Sequence, residues 1–252
     1  MSTSDWAGYL DDFHTRHPGI TAQVLRRARC ADGHAYDWLA AAIPLSSGLL
    51  LDLACGDGPL WPYIGGRRCL GVDRSIAELA AAHTRGADLL ACASATALPL
   101  PDGSVDTVAC SMAVQILTPL PAVLTEISRV LRPGGLLVAT VPTNRPLRAG
   151  DLPMLAGLLA ALGRSLGYPN DHALAHPAGL LANTGLRLLA DERRRFLYPL
   201  RGAGAADLFL TSLYMPSLTG RRWHAAAAYL RALARLHVSL PVPIRRIIAV
   251  RR

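Results

Sequence analysis

Five apolar runs, at residues 48–54, 69–72, 88–93, 105–111 and 136–141, alternate with stretches of helical period at 60–64, 76–84 and 122–131. No other feature restricts the fold as strongly. Strands that alternate with helices are joined by crossovers, so the pattern predicts an α/β chain with a doubly wound parallel sheet covered by helices on both faces. The first run ends in Asp52-Leu53-Ala54-Cys55-Gly56-Asp57-Gly58, with Pro59 where the next helix begins. Such a turn falls in the crevice at the carboxyl ends of the strands, where open sheets of this kind bind ligands. Small residues there let a ligand lie directly on the backbone.

Around this centre, residues 5–42 read as helical. Trp6, Tyr9, Leu10 and Phe13 recur at helical spacing, a second stretch carries Tyr36, Trp38, Leu39 and Ile43, and Pro44 with the Ser46-Ser47-Gly48 turn closes the section. Past Pro142 the expected order is a helix at 152–168, a helix-strand pair over 178–199, helical material at 205–236 and a closing strand at 244–250. The division that follows is an N-terminal helical cap over residues 1–44 and a ligand-binding domain over 45–252, with helical insertions at about 145–175 and about 203–238. A chain of 252 residues with 51% hydrophobic content can bury one full core.

Two familiar glycine turns fail to match. A dinucleotide fingerprint needs a third glycine where this chain has Trp61, and a phosphate-cradling loop needs a lysine, of which the sequence contains none. The second run ends in Gly71-Val72-Asp73, which puts a carboxylate beside the first turn, where it can accept both hydroxyls of a ribose. Structural readings stand beside the functional ones: Asp52 as an organiser of the turn, Asp73 as a cap of the next helix.

From Gly48 to Val141 the chain resembles class I methyltransferases, which use S-adenosylmethionine. The resemblance rests on the two strand-end turns together with Leu98-Pro99-Leu100-Pro101-Asp102-Gly103-Ser104-Val105-Asp106 and Glu126-Ile127-Ser128-Arg129-Val130-Leu131-Arg132-Pro133-Gly134-Gly135. It implies a Rossmann-like, mostly parallel sheet of about seven strands. It also implies that Asp52, Ala54 and Gly56 line the methionine end of S-adenosyl-L-methionine and that Asp73 holds the ribose. Arg74 would lie beside the adenine, Ser94 and Ala95 would meet its edge, and Ser111 would close the pocket. Ala54 stands where the family usually has glycine, and Ser94 where it commonly has aspartate.

Methyl transfer from a sulfonium requires alignment and exclusion of water, with a general base only for an acceptor that arrives protonated. His14 and His172 are the first choices for that base, because the family's N-terminal helices and the insert after its fifth strand roof the site. His17, His176, Tyr214 and His224 are the others, and Gln115 is placed to orient the acceptor. Trp6, Tyr9, Phe13, His14 and His17 suit a pocket cover, and the segment before Tyr36 is not needed for the order of the strands.

The formal charge of +8 arises because 26 basic residues, all arginine and spread along the chain with some in pairs, outnumber 18 acidic ones. A small organic acceptor, such as a biosynthetic intermediate, fits best. RNA is the alternative that the charge suggests, although no contiguous basic tract with interleaved aromatics is present. A cofactor-binding partner subunit without catalysis is the third reading. Arg193-Arg194-Arg195 lies in an expected strand, where alternation sends neighbours to opposite faces, as in a solvated edge. Five scattered cysteines lack the spacing of a metal site. The uncharged stretch 152–163 is far short of the roughly 20 residues of a membrane span, and the acidic start does not resemble a secretory signal, so a cytoplasmic protein is expected.

Overall fold

The computed structural model describes residues 3–45 and 48–252, with side chains from Trp6 onward, so the turn expected at Ser46 and Ser47 lies outside the described residues. The chain opens with α1 (Thr3–Arg16), α2 (Ile20–Arg27), the short strands β1 (Arg29–Cys30) and β2 (Gly33–His34), and α3 (Ala35–Ala40). The alternating section holds β3 (Leu49–Leu53), a 3-10 turn at Trp61–Tyr63, β4 (Arg68–Asp73), α4 (Ile76–Thr84), β5 (Leu90–Cys92), β6 (Val105–Ser111), α5 (Leu120–Val130) and β7 (Leu131–Pro142). The remainder comprises α6 (Asp151–Leu162), α7 (Asp171–Ala175), α8 (Pro177–Ala182), β8 (Leu186–Pro199), α9 (Gly202–Thr211), α10 (Gly220–Arg235) and β9 (Ser239–Arg251).

Among the described residues, one sheet runs in the order β2-β1-β8-β9-β7-β6-β3-β4-β5. The neighbours β5, β4, β3, β6 and β7 are parallel, β9 is antiparallel to β7, and β8 is antiparallel to β9. These are the seven strands expected. The sheet has nine because β1 and β2 form a hairpin that joins β8 through Arg29 and Leu197. Two-residue strands carry no period, so the segment that contains them reads as helical.

Alternation along β3 distributes the core. Leu50 packs with α2, α3, Phe196, Tyr198 and α10 on one face, while Leu51 and Leu53 pack with Val108, Ile127 and Leu181 on the other. A third cluster of Trp6, Leu10, Phe13, Ile20, Ile116 and Tyr214 holds α1. The N-terminal segment therefore has two roles: Val24, Leu25, Ala28, Trp38 and Leu39 belong to the main core, and α1 packs apart from it together with Ile20.

Three boundaries differ from expectation. Leu131 turns extended at the end of α5 and β7 starts at once, ahead of the expected 136, so Pro133 and Gly134 lie within the strand. Gly135 suits this stretch because a Cβ there would stand 2.9 Å from the Arg132 carbonyl and 3.0 Å from that of Asp106. α6 stops at Leu162, where Gly163 takes the left-handed conformation. The late helical stretch is broken between α9 and α10 by a loop that contains Tyr214 and Pro216, and Thr219 caps the new helix by accepting from the Arg222 amide.

The two sequence blocks near β6 act together. Glu126 accepts from the Leu98 amide at 2.7 Å, and Arg129 donates to the Leu100 carbonyl at 2.9 Å, to Asp102 at 2.6 Å and to Glu126. Arg129 beside Glu126 holds its carboxyl below the usual range. The connection between β5 and β6 is thereby fastened to α5.

Candidate active site

At the carboxyl ends of β3, β4 and β6 lies a cavity with about 160 Å³ open to the centres of water molecules. A single water needs about 10–15 Å³ on that measure, so the hollow is sized for a ligand. Its floor is the glycine turn. Ala54 and Gly56 both have left-handed backbones, at φ 53° and 54°. Such a conformation is natural for Gly56 and costs Ala54 roughly 1–2 kcal/mol. Asp73 holds the turn in place: one carboxylate oxygen accepts from the Gly56 amide and the other from the Ser75 amide, each at 2.9 Å. It does not cap α4, because Ser75 does so by accepting from Glu78 N–H.

Asp52 is buried to 2% exposure, and its Oδ2 has no hydrogen-bond partner. Burial pushes this carboxyl up to about 7, the Trp61 indole opposes the shift without reaching hydrogen-bond geometry, and the Asp73 charge adds to it. Asp52 therefore does not organise the turn through that oxygen. A buried acceptor without a partner is costly in a folded chain and calls for a reason.

The other expected residues divide into two groups. Ser94, Ala95, Ser111 and Arg74 line the cavity with Asp52, Ala54, Gly56, Asp73 and His14. Ser94 Oγ accepts from the Thr96 amide at 3.2 Å, and Arg74 pairs with Asp11 of α1 at 2.7 Å across the rim. His172 is exposed on α7 and does not line the cavity. The insert after β7 contributes Asn170 instead, whose side chain donates to the Val114 and Leu117 carbonyls and pins the loop after β6. Gln115 is buried within that loop, donates to the Met112 carbonyl and also stays outside the lining. His17, His176 and His224 are absent from the lining as well.

The roof contains a set of contacts that sequence reasoning did not assemble. His14 Nδ1 lies 2.7 Å from Glu78 Oε1, and His14 Nε2 lies 3.1 Å from the Tyr214 hydroxyl. Glu78 is buried, and its second oxygen accepts from the Gly19 amide at 2.9 Å. All three side chains line the cavity, as does buried Tyr36. The spacing of Ser75 and Glu78 is that of a capping box, in which the carboxylate turns back to its own helix end. Here it reaches α1 and the chain before α2, and only the tertiary structure reveals this.

Residues 51–139 match the protein family described as "Methyltransferase domain". The chain is 30% identical over 207 residues to the malonyl-[acyl-carrier protein] O-methyltransferase of Marinomonas sp. (strain MWYL1), covering 74% of each protein. It is 37% identical over 110 residues to the demethylmenaquinone methyltransferase of Mycolicibacterium vanbaalenii, covering 41% of this chain and 48% of that protein. The chain thus spans about half the length of that relative. A solved structure described as "Conversion of a Disulfide Bond into a Thioacetal Group during Echinomycin Biosynthesis" shares the fold, with TM-score 0.59 and 21% identity over 100% of this chain and 93% of that one. Identity with the Marinomonas protein across three quarters of both chains, together with the domain match, shows the family: the chain belongs to the class I S-adenosylmethionine-dependent methyltransferases.

Proposed function

We propose that the chain transfers the methyl group of S-adenosylmethionine to a small organic acceptor held beneath α1. The observation that carries this reading is Asp52, a residue of the cavity lining with a buried and unpartnered carboxylate oxygen. A ligand with an ammonium group fits that oxygen, because a buried carboxylate is stable when paired with a cation and costly when alone. In this reading Asp52 takes the methionyl ammonium beside Ala54 and Gly56. Asp73 has a lone pair left on each oxygen after its two amide bonds, enough to accept from the ribose hydroxyls. Arg74, Ser94 and Ala95 border the adenine, and Ser111 stands at the end of β6.

When bound, the cofactor supplies an electrophilic methyl on a sulfonium. The chain's own part is to align the acceptor and keep water away. Leu10, Ile116, Leu117 and Val123 give the acceptor side of the cavity an apolar wall.

A small acceptor is favoured over RNA by the way the arginines are used. Arg195 pairs with Asp151, Arg245 with Asp191, Arg246 with Glu192, Arg194 with Asp32 and Arg231 with Asp207. The Arg193–Arg195 run is thus divided among separate acidic partners instead of facing one anion. The names of the two relatives also give acceptors other than RNA, a malonyl group on an acyl carrier protein and demethylmenaquinone.

The test incubates the protein and methyl-labelled cofactor with a small-molecule extract and, separately, with RNA. Label in a low-mass product is expected. Label confined to RNA overturns the acceptor class, and S-adenosylhomocysteine that produces no heat in titration overturns the cofactor.

A further inference from the structure

We propose that Tyr214, backed by His14 and Glu78, takes the proton of the methyl acceptor, and that the acceptor is a neutral molecule presenting an acidic O–H of the phenol or enol type. This rests on the methyl-transfer reading above and assigns a role to the contacts in its roof.

The three side chains come from separate parts of the chain. Glu78 lies 64 residues from His14, and Tyr214 lies 200 residues from it, yet all three meet at one wall of the cavity. Buried Glu78 is fixed by the Gly19 amide, so its other oxygen faces His14 as an acceptor and selects the tautomer with the proton on Nδ1. His14 Nε2 is then a lone pair that accepts from the Tyr214 hydroxyl. Both ring nitrogens are thus committed, and the group at the acceptor end of the line is Tyr214. Burial pushes the Tyr214 phenol above its ordinary value, which keeps it protonated and makes it a relay instead of a standing phenolate.

Charge on the cavity wall selects the acceptor. Among the described lining residues the carboxylates are Asp11, Asp52, Asp57, Asp73 and Glu78, whereas the arginine is Arg74, already paired with Asp11. Arg26 and Arg85 answer Asp57 from outside the lining. Among the described lining residues no unpaired arginine is left to hold a free carboxylate or phosphate, and a neutral acceptor needs none. A neutral nucleophile must lose its proton as it reacts, which is the task the relay performs. A phenol or enol, more acidic than the raised Tyr214 hydroxyl, gives its proton to the relay more readily than an aliphatic alcohol does.

The step balances. As the acceptor's O–H bond breaks, its oxygen bonds the methyl carbon, and the carbon–sulfur bond electrons stay on sulfur, giving a neutral thioether. The acceptor's proton passes to the Tyr214 oxygen while the Tyr214 proton passes to His14 Nε2. His14 ends as an imidazolium against the Glu78 carboxylate and returns its proton to water when product leaves.

The experiment compares the parent chain with Tyr214→Phe and His14→Gln on three probe sets: naphthols that stay neutral at the assay pH, nitrophenols that are ionised at it, and benzoates. The parent is expected to methylate naphthols. Both variants are expected to lose about 10²–10³-fold in kcat on naphthols with KM little changed, to keep the parent's rate on ionised nitrophenols, and to bind S-adenosylhomocysteine as the parent does. If Tyr214→Phe does not fold, Glu78→Gln carries the same comparison. Equal loss on naphthols and nitrophenols overturns the relay in favour of a packing role. Parent activity on benzoates alone, or on no probe, overturns the acceptor class while intact S-adenosylhomocysteine binding leaves the cofactor reading standing. Failure of the parent to bind S-adenosylhomocysteine removes both.

Discussion

Replacing Asp52 with asparagine separates what the buried carboxylate does for a ligand from what it does to the fold. In the folded chain its carboxyl titrates at about 7, against an ordinary value of 3.8. Between those two values the folded state holds more protons than the unfolded state. Stability contributed by the protonated group is therefore complete below about pH 4 and is lost as pH rises toward 7. At about 1.4 kcal/mol per pH unit the full loss is about 4 kcal/mol, which relaxation and water penetration reduce to roughly 1–3 kcal/mol. Asparagine has no charge to bury. At pH 8 the variant should be more stable than the parent by that amount, a rise of roughly 3–10 °C in Tm, and the gain should vanish near pH 4–5. S-adenosylhomocysteine, which carries the same ammonium, should bind roughly 10–100-fold more weakly. Thermal scans between pH 4 and pH 8, with calorimetric titration at pH 8, read both effects. A variant less stable than the parent at pH 8, or a difference that does not change with pH, would refute the claim that the carboxylate is unpartnered. Unchanged affinity would remove Asp52 from the ammonium.

Ala54→Gly should raise the melting temperature by up to the equivalent of about 1 kcal/mol, since relief of a left-handed alanine outweighs the added freedom of the unfolded chain; a fall in a thermal scan would show that the Ala54 methyl packs more usefully than its backbone strains. Ser94→Asp keeps an acceptor for the Thr96 amide and adds charge toward the adenine side, so S-adenosylhomocysteine should bind as well or more tightly, and a large loss in titration would separate Ser94 from the adenine. Arg129→Ala strips donors from the Leu98 and Leu100 carbonyls and from Asp102, and should destabilise the chain by roughly 1–3 kcal/mol in denaturant titration, with an effect under about 0.5 kcal/mol counting against the fastening role. Deleting residues 1–16 removes α1, Trp6, Leu10, Phe13 and His14 while leaving α2 in the main core; a folded chain by circular dichroism that binds S-adenosylhomocysteine but turns over no acceptor is the expected result, and full turnover would end the roof assignment.

The floor of the site was legible because each of its parts is local. A strand of buried leucines, a turn of small residues and a carboxylate at the next strand end lie within residues 49–73, where period and spacing can be read directly. The same holds for the Leu98 to Asp106 and Glu126 to Gly135 blocks, although sequence alone did not show that Glu126 and Arg129 bind the first block to the second. What local reading missed were features without a period of their own. β1 and β2 are two residues each, and the loop that holds Tyr214 interrupts a stretch read as helical although Pro216 and Gly220 mark a break in it.

The roof failed to show for a deeper reason. Whether a histidine can accept a proton depends on what its two nitrogens touch, and for His14 those partners lie on α4 and beyond α9. The family resemblance gave His14 and His172 equal standing, since it implied that both of their segments roof the site. Packing separated them: the cluster of Trp6, Phe13, Ile116 and Tyr214 turns His14 inward, while α7 keeps His172 in solvent and contributes Asn170 as a brace. Ring contacts of Phe13 with Tyr214 at 4.9 Å and with His14 at 5.4 Å hold the imidazole and the phenol in register. In the proposed relay Phe13 on the inner face of α1 spaces the phenol from the imidazole, and its loss should loosen the distance between Tyr214 and His14.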